Sequence, residues 1–198
     1  IIQQLTESNL IPEMILIGIG NLDPDGNQMR GSDFHSEYTP NFLQFITEEL
    51  IPKVDAQFNS SVVTAIPRVL IGHSSGGYFS TYALFQNDTA GLNLIENFIS
   101  LSILQEKDYA DILTEEIRFY DKVVLNQSLE QALNFRLYMG VGGNEEDRFL
   151  VAYEALLENI VGRNYLGFEV KATIYPEHDH GSYISFAVYD GLLFLFGE

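Results

Sequence analysis

The sequence predicts an α/β fold in which a mostly parallel central sheet is flanked by helices. Three observations carry this prediction. Short apolar runs alternate with amphipathic segments along the chain. The apolar runs have the composition of strands buried on both faces. The strongest motif, Gly72–Gly76, directly follows one of these runs, as at a strand-to-helix turn. With 198 residues, no repeat and no linker-like stretch, residues 1–198 are expected to form a single domain.

The strands are predicted from the apolar runs. Each run is short, is rich in aliphatic and aromatic residues, and is bounded by polar or glycine-containing segments. The five predicted strands lie within residues 14–19, 69–71, 98–101, 137–141 and 170–175.

The helices are predicted from apolar residues that recur with helical spacing between these runs. Thr39 and Pro40 indicate a helix start, with threonine as N-cap and proline in the first turn. Gly162 is expected to end a later helix. The acidic segment 103–134 is expected to be helical and could insert a cap or pocket wall between two strands. The apolar stripes are Phe42, Phe45, Ile46, Leu50 and Val54, then Leu150, Tyr153, Leu157, Ile160 and Val161, then Ile184, Val188, Leu192, Leu195 and Phe196.

The charge balance narrows the classes of partner. Lys and Arg number 10, Asp and Glu number 28, and the formal net charge is −18. Such a surface repels phosphate backbones and anionic lipid headgroups, which argues against nucleic acid and membrane surfaces as partners. The absence of cysteine excludes disulfides, thiolate zinc sites, iron–sulfur clusters and a cysteine nucleophile. No run of 18 apolar residues is present, so no membrane-spanning helix is predicted. The compartment and the oligomeric state stay open.

The strongest chemical signal is the G-x-S-x-G pattern of Gly72, Ser74 and Gly76. It predicts a nucleophilic Ser74 on a tight turn between a strand and a helix. Side chains at Gly72 and Gly76 are expected to clash in such a turn, and Gly77 lets the helix pack closely. The helix N-terminus directs free N–H groups at a developing oxyanion, and Ser75 is expected to supply one of them.

Other interpretations of this motif stay open. A Gly-Ser turn without chemistry has the same composition. Ser75 is a rival nucleophile, although its flanking residues do not fit the turn. A phosphate-binding loop is disfavoured because no lysine follows the glycines.

A serine nucleophile needs a histidine base, which in this architecture follows the serine and an acid along the chain. Of the four histidines, His35 precedes the serine and His73 lies within the turn itself. The loop 176–182 follows the last predicted strand and holds both His178 and His180. We favour His180, because the residues after it lead straight into the last helix, and we interpret His178 as a surface residue. A metal site on the two histidines and their acidic neighbours is conceivable, but no third distant ligand is evident.

The acid is expected after the preceding strand. The run 137–141 is followed by a glycine turn and then by Glu145, Glu146 and Asp147. Glu145 is the first choice for the carboxylate that orients His180, and the next two acids are the alternatives. All three could instead favour the N-terminus of the next helix.

Further stretches match one known family in order along nearly the whole chain. They are Ile11–Asn21, Arg30 with Glu37–Pro40, Phe42–Pro52, Gly72–Gly76, Gly142–Glu145, His180–Ser182 and Tyr189–Leu192. With them the chain resembles the esterase D and enterochelin-esterase-like branch of the α/β-hydrolases. The resemblance implies a triad of Ser74, Glu145 and His180 that acts on carboxylic esters without a cofactor. Family members cleave siderophore trilactones, acyl-glutathione thioesters and feruloyl or acetyl esters of sugars, and some transfer acyl groups.

Two features depart from the family pattern. A strand with a loop that donates the second oxyanion N–H usually precedes the segment at Ile11, and only ten residues stand there. In the usual order that strand lies between strands 14–19 and 69–71. We therefore expect a longer polypeptide, or another segment that fills the gap. The family also places Ser-Pro and Trp residues after strand 98–101, whereas this chain has Ser102-Ile and no tryptophan. The shape of the pocket is therefore not transferred.

The candidate substrate-binding residues are Arg30, Asn21 and His73. Arg30 follows the first predicted strand and could bind a carboxylate or catecholate of the substrate. A surface or ion-pairing role for Arg30 is equally open.

The predicted function is therefore serine-dependent hydrolysis of a small-molecule carboxylic ester or thioester. Two alternatives remain. An acyltransferase would use the same triad, and a non-catalytic binding domain would keep the fold without the reaction.

Overall fold

The computed structural model describes residues 1–29, 33–34, 37–58, 67–87, 94–103, 106–125 and 132–197. Its centre is a parallel four-stranded sheet in the order β1-β2-β3-β4. This confirms the predicted α/β class with a parallel sheet and flanking helices. The strands are β1 (Val69–His73), β2 (Asn97–Leu101), β3 (Phe135–Gly142) and β4 (Phe168–Tyr175). The helices are α1 (Ile2–Glu7), α2 (Thr39–Gln44), α3 (Ile51–Gln57), α4 (Ser75–Phe85), α5 (Glu106–Leu125), α6 (Asp147–Arg163) and α7 (Ile184–Phe196).

The sheet is buried between two helical layers because successive strand side chains point to opposite faces. Helices α4, α5 and α6 contribute to the core on one face, and α1 and α7 contribute to the core on the other. On the first face the buried strand residues are Phe98, Phe135, Leu137, Met139 and Val141, and on the second they are Ile99, Leu101, Tyr138 and Tyr175.

Strands β1 to β4 confirm four of the five predicted strands, but the prediction for residues 14–19 is wrong. These residues belong to no strand, and Leu16 is 72% exposed. A strand needs a neighbour for its backbone N–H and C=O groups. Strand β1 is the sheet edge and pairs only with β2, so residues 14–19 have no described neighbour. The apolar run is consequently placed on the surface.

Helix boundaries differ from the predictions by one or two residues. Thr39 is the first residue of α2 rather than its N-cap, and Tyr38 occupies the capping position. A π-helical turn over Phe45–Leu50 joins α2 to α3. The later helix, α6, runs past Gly162 and is capped by Asn164, whose φ of 52° is left-handed. Asparagine tolerates that conformation better than most residues, which explains the later end.

The acidic segment 103–134 contains α5, which connects β2 to β3. Three of its apolar side chains, those of Ile112, Phe119 and Val123, are buried in the core. This is the packing of a crossover helix in an α/β sheet. Within the predicted insertion, residues 104–105 and 126–131 lie outside the described residues. Among the described helices, none is long and apolar enough to cross a membrane.

Candidate active site

Ser74 occupies the turn between β1 and α4 at the carboxyl end of the sheet. Its backbone has φ 57° and ψ −120°, a conformation that residues with a side chain rarely adopt. The turn is held by a 2.9 Å hydrogen bond from the Ser74 N–H to the Leu101 carbonyl of the neighbouring strand. Because such strain persists only where the surrounding structure enforces it, this serine is a functional candidate.

Two glycines make this turn possible. A Cβ on Gly72 would lie 1.9 Å from the Gly76 carbonyl oxygen, and a Cβ on Gly77 would lie 2.3 Å from the Leu101 carbonyl oxygen. Side chains at these two positions would therefore force the strand and helix apart. The expected clash at Gly76 is wrong, since a Cβ there would meet no atom within 4 Å.

His180 lies in the loop between β4 and α7. Its Nδ1 is 2.7 Å from Glu145 Oε2, and the side chain is 43% exposed, whereas that of Glu145 is fully buried. The His180 ring centroid is 4.6 Å from that of His73, the residue before Ser74. This contact places the imidazole beside the strained turn. Among the described residues, His180 makes no side-chain hydrogen bond to Ser74. The ring of His180 instead contacts His73, which precedes Ser74 in the chain.

Glu145 lies in the loop that follows β3. Its Oε1 accepts hydrogen bonds from Ser102 Oγ at 2.6 Å and from the Gly142 N–H at 2.8 Å. Of the three acids that the sequence offered, the structure brings Glu145 to His180. Glu146 is exposed and pairs with Arg148, with 3.0 Å between Glu146 Oε1 and Arg148 Nη2.

The two loops that carry the acid and the histidine are joined by backbone hydrogen bonds. The Gly143 N–H donates to the Tyr175 carbonyl at 2.7 Å, and the Asn144 N–H donates to the His178 carbonyl at 2.9 Å. A separate turn orders the histidine loop, because Asp179 Oδ1 accepts the N–H groups of the two residues after His180. These hydrogen bonds lower the pKa of Asp179. The acid and histidine are therefore positioned by short, fixed connections.

The sequence of the chain matches one known family over almost its whole length. A family model described as Putative esterase matches residues 1–189. The chain belongs to this esterase family. Membership supports a hydrolase that acts on esters. A comparison with curated protein sequences gave no match.

Solved structures similar to the esterase chain share its fold. The BES protein from Bacillus cereus has a TM-score of 0.78 and 22% identity over 100% of this chain and 76% of its own. The IroE-like serine hydrolase from Shewanella oneidensis has a TM-score of 0.63 and 23% identity over 89% of this chain and 53% of its own. Siderophore hydrolase EstA from Aspergillus nidulans has a TM-score of 0.58 and 26% identity over 79% of this chain and 56% of its own. The esterase chain thus spans three quarters of the first structure and just over half of the other two.

His73 anchors the histidine loop of the esterase to the turn. Its Nε2 lies 2.6 Å from the backbone carbonyl oxygen of His180, so this nitrogen carries the proton and donates. Burial lowers the pKa of His73, which favours the neutral ring. A role of His73 in substrate binding stays a prediction, and its Nε2 is engaged within the protein.

The other predicted binding residues lie apart from these contacts. Arg30 and His35 are outside the described residues. Asn21 is half-buried, and its side-chain Nδ2 has no hydrogen-bond partner among the described residues. Ser75 begins α4, so its N–H is one of the first-turn groups that lack an intrahelical acceptor. The oxyanion role of Ser75 stays a prediction.

His178 has the surface position expected of it, with Nδ1 3.3 Å from Ser182 Oγ and its ring beside Phe186. Within the part of the chain that the structure describes, no group of three or more histidine and acidic side chains could hold a metal ion.

Sequence reasoning missed Ser102 and Tyr183. Ser102 donates to Glu145, and the Tyr183 hydroxyl lies 2.5 Å from Ser102 Oγ. The two residues are separated by 81 positions in sequence, so no local spacing joins them. The one available signal was that Ser102 directly follows an apolar strand, at the same sheet edge as the serine and the acid.

Proposed function

We propose that this esterase is a serine hydrolase that cleaves carboxylic esters or thioesters through Ser74, His180 and Glu145. The observation that carries the proposal is the 2.7 Å contact between Glu145 Oε2 and His180 Nδ1. It lies at the sheet edge where Ser74 occupies a strained turn. These are the nucleophile, base and orienting acid of a triad, in the chain order of α/β-hydrolases.

The contact fixes which nitrogen of His180 can act as base. With the Nδ1 proton donated to Glu145, the Nε2 lone pair is free to accept the Ser74 hydroxyl proton. The Ser74 oxygen then bonds to the acyl carbon, and the carbonyl oxygen becomes an oxyanion. The Ser75 N–H stabilises this charge at the start of α4.

The acyl-enzyme forms when the tetrahedral intermediate collapses. His180 returns its proton to the leaving alcohol or thiol, and the acyl group stays on Ser74. Water then attacks the ester, with His180 again as base, and releases the acid and free Ser74. Glu145 stabilises the imidazolium in both half-reactions. No step requires a cofactor.

The substrate is proposed to be a small-molecule ester. Two similar structures are described as siderophore hydrolases, so siderophore esters belong in the first panel of substrates. The net charge of −18 favours neutral or cationic esters, except where a nearby lysine or arginine offsets the negative potential.

The first test is intact-protein mass after treatment with a fluorophosphonate, which phosphonylates activated serines. We expect one adduct on the wild-type protein and none on Ser74→Ala, with Ser75→Ala as the matched control that keeps the adduct. The same adduct on both Ser74→Ala and wild type would contradict the assignment of the nucleophile. A folded wild-type protein that forms no adduct would favour a binding domain over an enzyme.

The second test separates the histidines by hydrolysis of a p-nitrophenyl ester. His180→Ala is expected to lower kcat by at least about 10³-fold, while His178→Ala retains activity. Equal losses in the two variants would contradict the choice of His180. Product analysis with an added alcohol distinguishes hydrolysis from acyl transfer, because a transferase forms the new ester in preference to the free acid.

A further inference from the structure

The Glu145 carboxylate is buried, and among the residues that the structure describes it has no lysine or arginine partner. Its three described donors are the Ser102 hydroxyl, the Gly142 N–H and His180 Nδ1. Burying a carboxylate is costly unless donors compensate for the lost water. Of the three groups, only the Ser102 hydroxyl is a side chain that can be removed without touching the histidine or the backbone.

Ser102 is held in an unusual conformation at the end of β2. Its φ is 45°, a left-handed value, and its side chain is buried. The backbone is fixed by a 2.8 Å hydrogen bond from the Ser102 N–H to the Gly140 carbonyl of β3. Backbone strain of this kind persists only where the surrounding structure enforces it. Here it coincides with a hydroxyl aimed at Glu145.

The direction of the protons follows from the donors available. The Ser102 hydroxyl has one proton, which it donates to Glu145 Oε1. The Tyr183 hydroxyl has two acceptors for its one proton, Ser102 Oγ at 2.5 Å and the Gly140 carbonyl oxygen at 3.1 Å. Because the Ser102 proton is already donated to Glu145, the shorter contact assigns the Tyr183 proton to the serine oxygen. Burial raises the pKa of Tyr183, so that hydroxyl stays protonated and remains a donor. The result is a chain of two hydroxyls that ends on the carboxylate.

We propose that Ser102, supported by Tyr183, is a positioning residue that holds the Glu145 carboxylate in place for His180. The proposal rests on the proposed function, since it assigns Ser102 a role in that triad. Each oxygen of the carboxylate has a separate task. Oε2 contacts His180, while Oε1 is fixed by Ser102 and Gly142 and stops the group from turning away. The Ser102–Tyr183 pair also directs hydroxyl dipoles at the charge that stabilises the imidazolium.

The test compares two substitutions that remove the same hydroxyl. Ser102→Ala keeps a side chain at the strained φ, and Ser102→Gly relieves the strain. Both are expected to lower kcat by about 10- to 100-fold with little change in KM, because a hydrogen bond to a charged group contributes on that scale. Tyr183→Phe is expected to give a smaller loss of the same kind. In ¹H NMR, the downfield resonance of the His180 Nδ1 proton is expected to shift or broaden in the Ser102 variants.

Matched controls separate this role from loss of packing. Ser100→Ala removes another buried serine hydroxyl of β2, which bonds to Ser80 at 2.6 Å. Tyr138→Phe removes another buried tyrosine hydroxyl, which bonds to Tyr175 at 2.7 Å. Both controls are expected to retain wild-type kcat and the wild-type Nδ1 resonance.

The outcomes distinguish the positioning role from the triad itself. If wild type reacts with the fluorophosphonate and Ser102→Ala keeps wild-type kcat and resonance, the positioning role is refuted while the triad stands. Recovery of full activity in Ser102→Gly would likewise refute the role of the hydroxyl. If the wild type forms no adduct, the proposed function itself has failed. In that case the Nδ1 resonance still reports on the contact, and an unchanged signal in Ser102→Ala overturns the positioning role.

Discussion

Two buried carboxylates in this protein, those of Glu116 and Glu145, are stabilised by different kinds of hydrogen-bond donor. Glu116 on α5 accepts from Arg163 at both oxygens, at 3.0 and 3.1 Å, and from the Tyr165 hydroxyl at 2.9 Å. Glu145, at the carboxyl end of the sheet, has the hydroxyl of Ser102, a backbone N–H and a histidine. Both glutamate side chains are fully buried.

The difference separates a structural charge from one available for catalysis. The guanidinium of Arg163 is always charged, and its hydrogen bonds to Glu116 raise the pKa of Arg163 further. The Glu116 carboxylate therefore has a structural role, which is to hold α5 against α6. The partner of Glu145 gains a full charge only when His180 takes up a proton, so this carboxylate can stabilise a charge that appears during a reaction.

The largest expected effect is on activity at Glu145. Glu145→Gln keeps the size of the side chain but removes the charge, and the amide can favour the wrong tautomer of His180. We expect kcat to fall by about 10⁴-fold while the protein stays folded. Ester hydrolysis and circular dichroism measure the two quantities. Glu146→Gln is the matched control on the exposed neighbour, and equal activity in both variants would remove Glu145 from the triad.

The opposite pattern is expected at Glu116. Glu116→Gln leaves Arg163 partly buried without its counter-charge, and we expect the free energy of unfolding to fall by about 3–5 kcal/mol. Activity per folded molecule stays near the wild-type value. Urea denaturation measures the first quantity and active-site titration with a fluorophosphonate measures the second. Glu146→Gln, which breaks a surface pair with the exposed Arg148, serves as control with a loss below about 1 kcal/mol. A large loss of activity in folded Glu116→Gln would break the distinction between the two carboxylates.

The sequence predicted the parts of this site that are local. An apolar strand followed by Gly72 and Ser74 predicted the turn, and the glycine turn before Glu145 pointed to the acid that the structure places against His180. Each signal lies within a few residues of sequence. A parallel sheet then brings the two turns together, because the carboxyl ends of its strands lie on the same side.

The non-local parts could not be predicted. Glu116 and Arg163 are 47 residues apart, and Ser102 and Glu145 are 43 apart, so only the fold brings each pair together. The run 14–19 has a strand's composition, but strand formation also depends on a neighbouring strand. The prediction of a clash at Gly76 was wrong, because the sequence does not show at which glycine an added side chain would face the opposing backbone.

A smaller effect is expected when the cation at Glu116 is changed but kept. Arg163→Lys preserves the charge but loses the second hydrogen bond and the stacking of the guanidinium over the Tyr120 ring at 4.0 Å. We expect a loss of about 1–2 kcal/mol in the free energy of unfolding, well below that of Glu116→Gln. Thermal and urea denaturation test this order. A loss in Arg163→Lys as large as that in Glu116→Gln would show that geometry, rather than charge, compensates Glu116.

The effect with the narrowest range concerns the tyrosine beside Glu116, because it is seen only at alkaline pH. Burial, and then the nearby Glu116 charge, raise the pKa of Tyr165 well above the ordinary value of about 10. Above about pH 10 the unfolded chain therefore releases this proton while the folded protein keeps it. The free energy of unfolding falls as pH rises, because the folded state then binds more protons.

Tyr165→Phe removes this group, so the decline of the unfolding free energy between about pH 10 and 12 should become shallower. The limit is one proton, or about 1.4 kcal/mol per pH unit. Urea denaturation across this range measures the slope, and Tyr189→Phe at an exposed position is the control that leaves it unchanged. An unchanged slope in Tyr165→Phe would mean that the Tyr165 proton is not linked to folding.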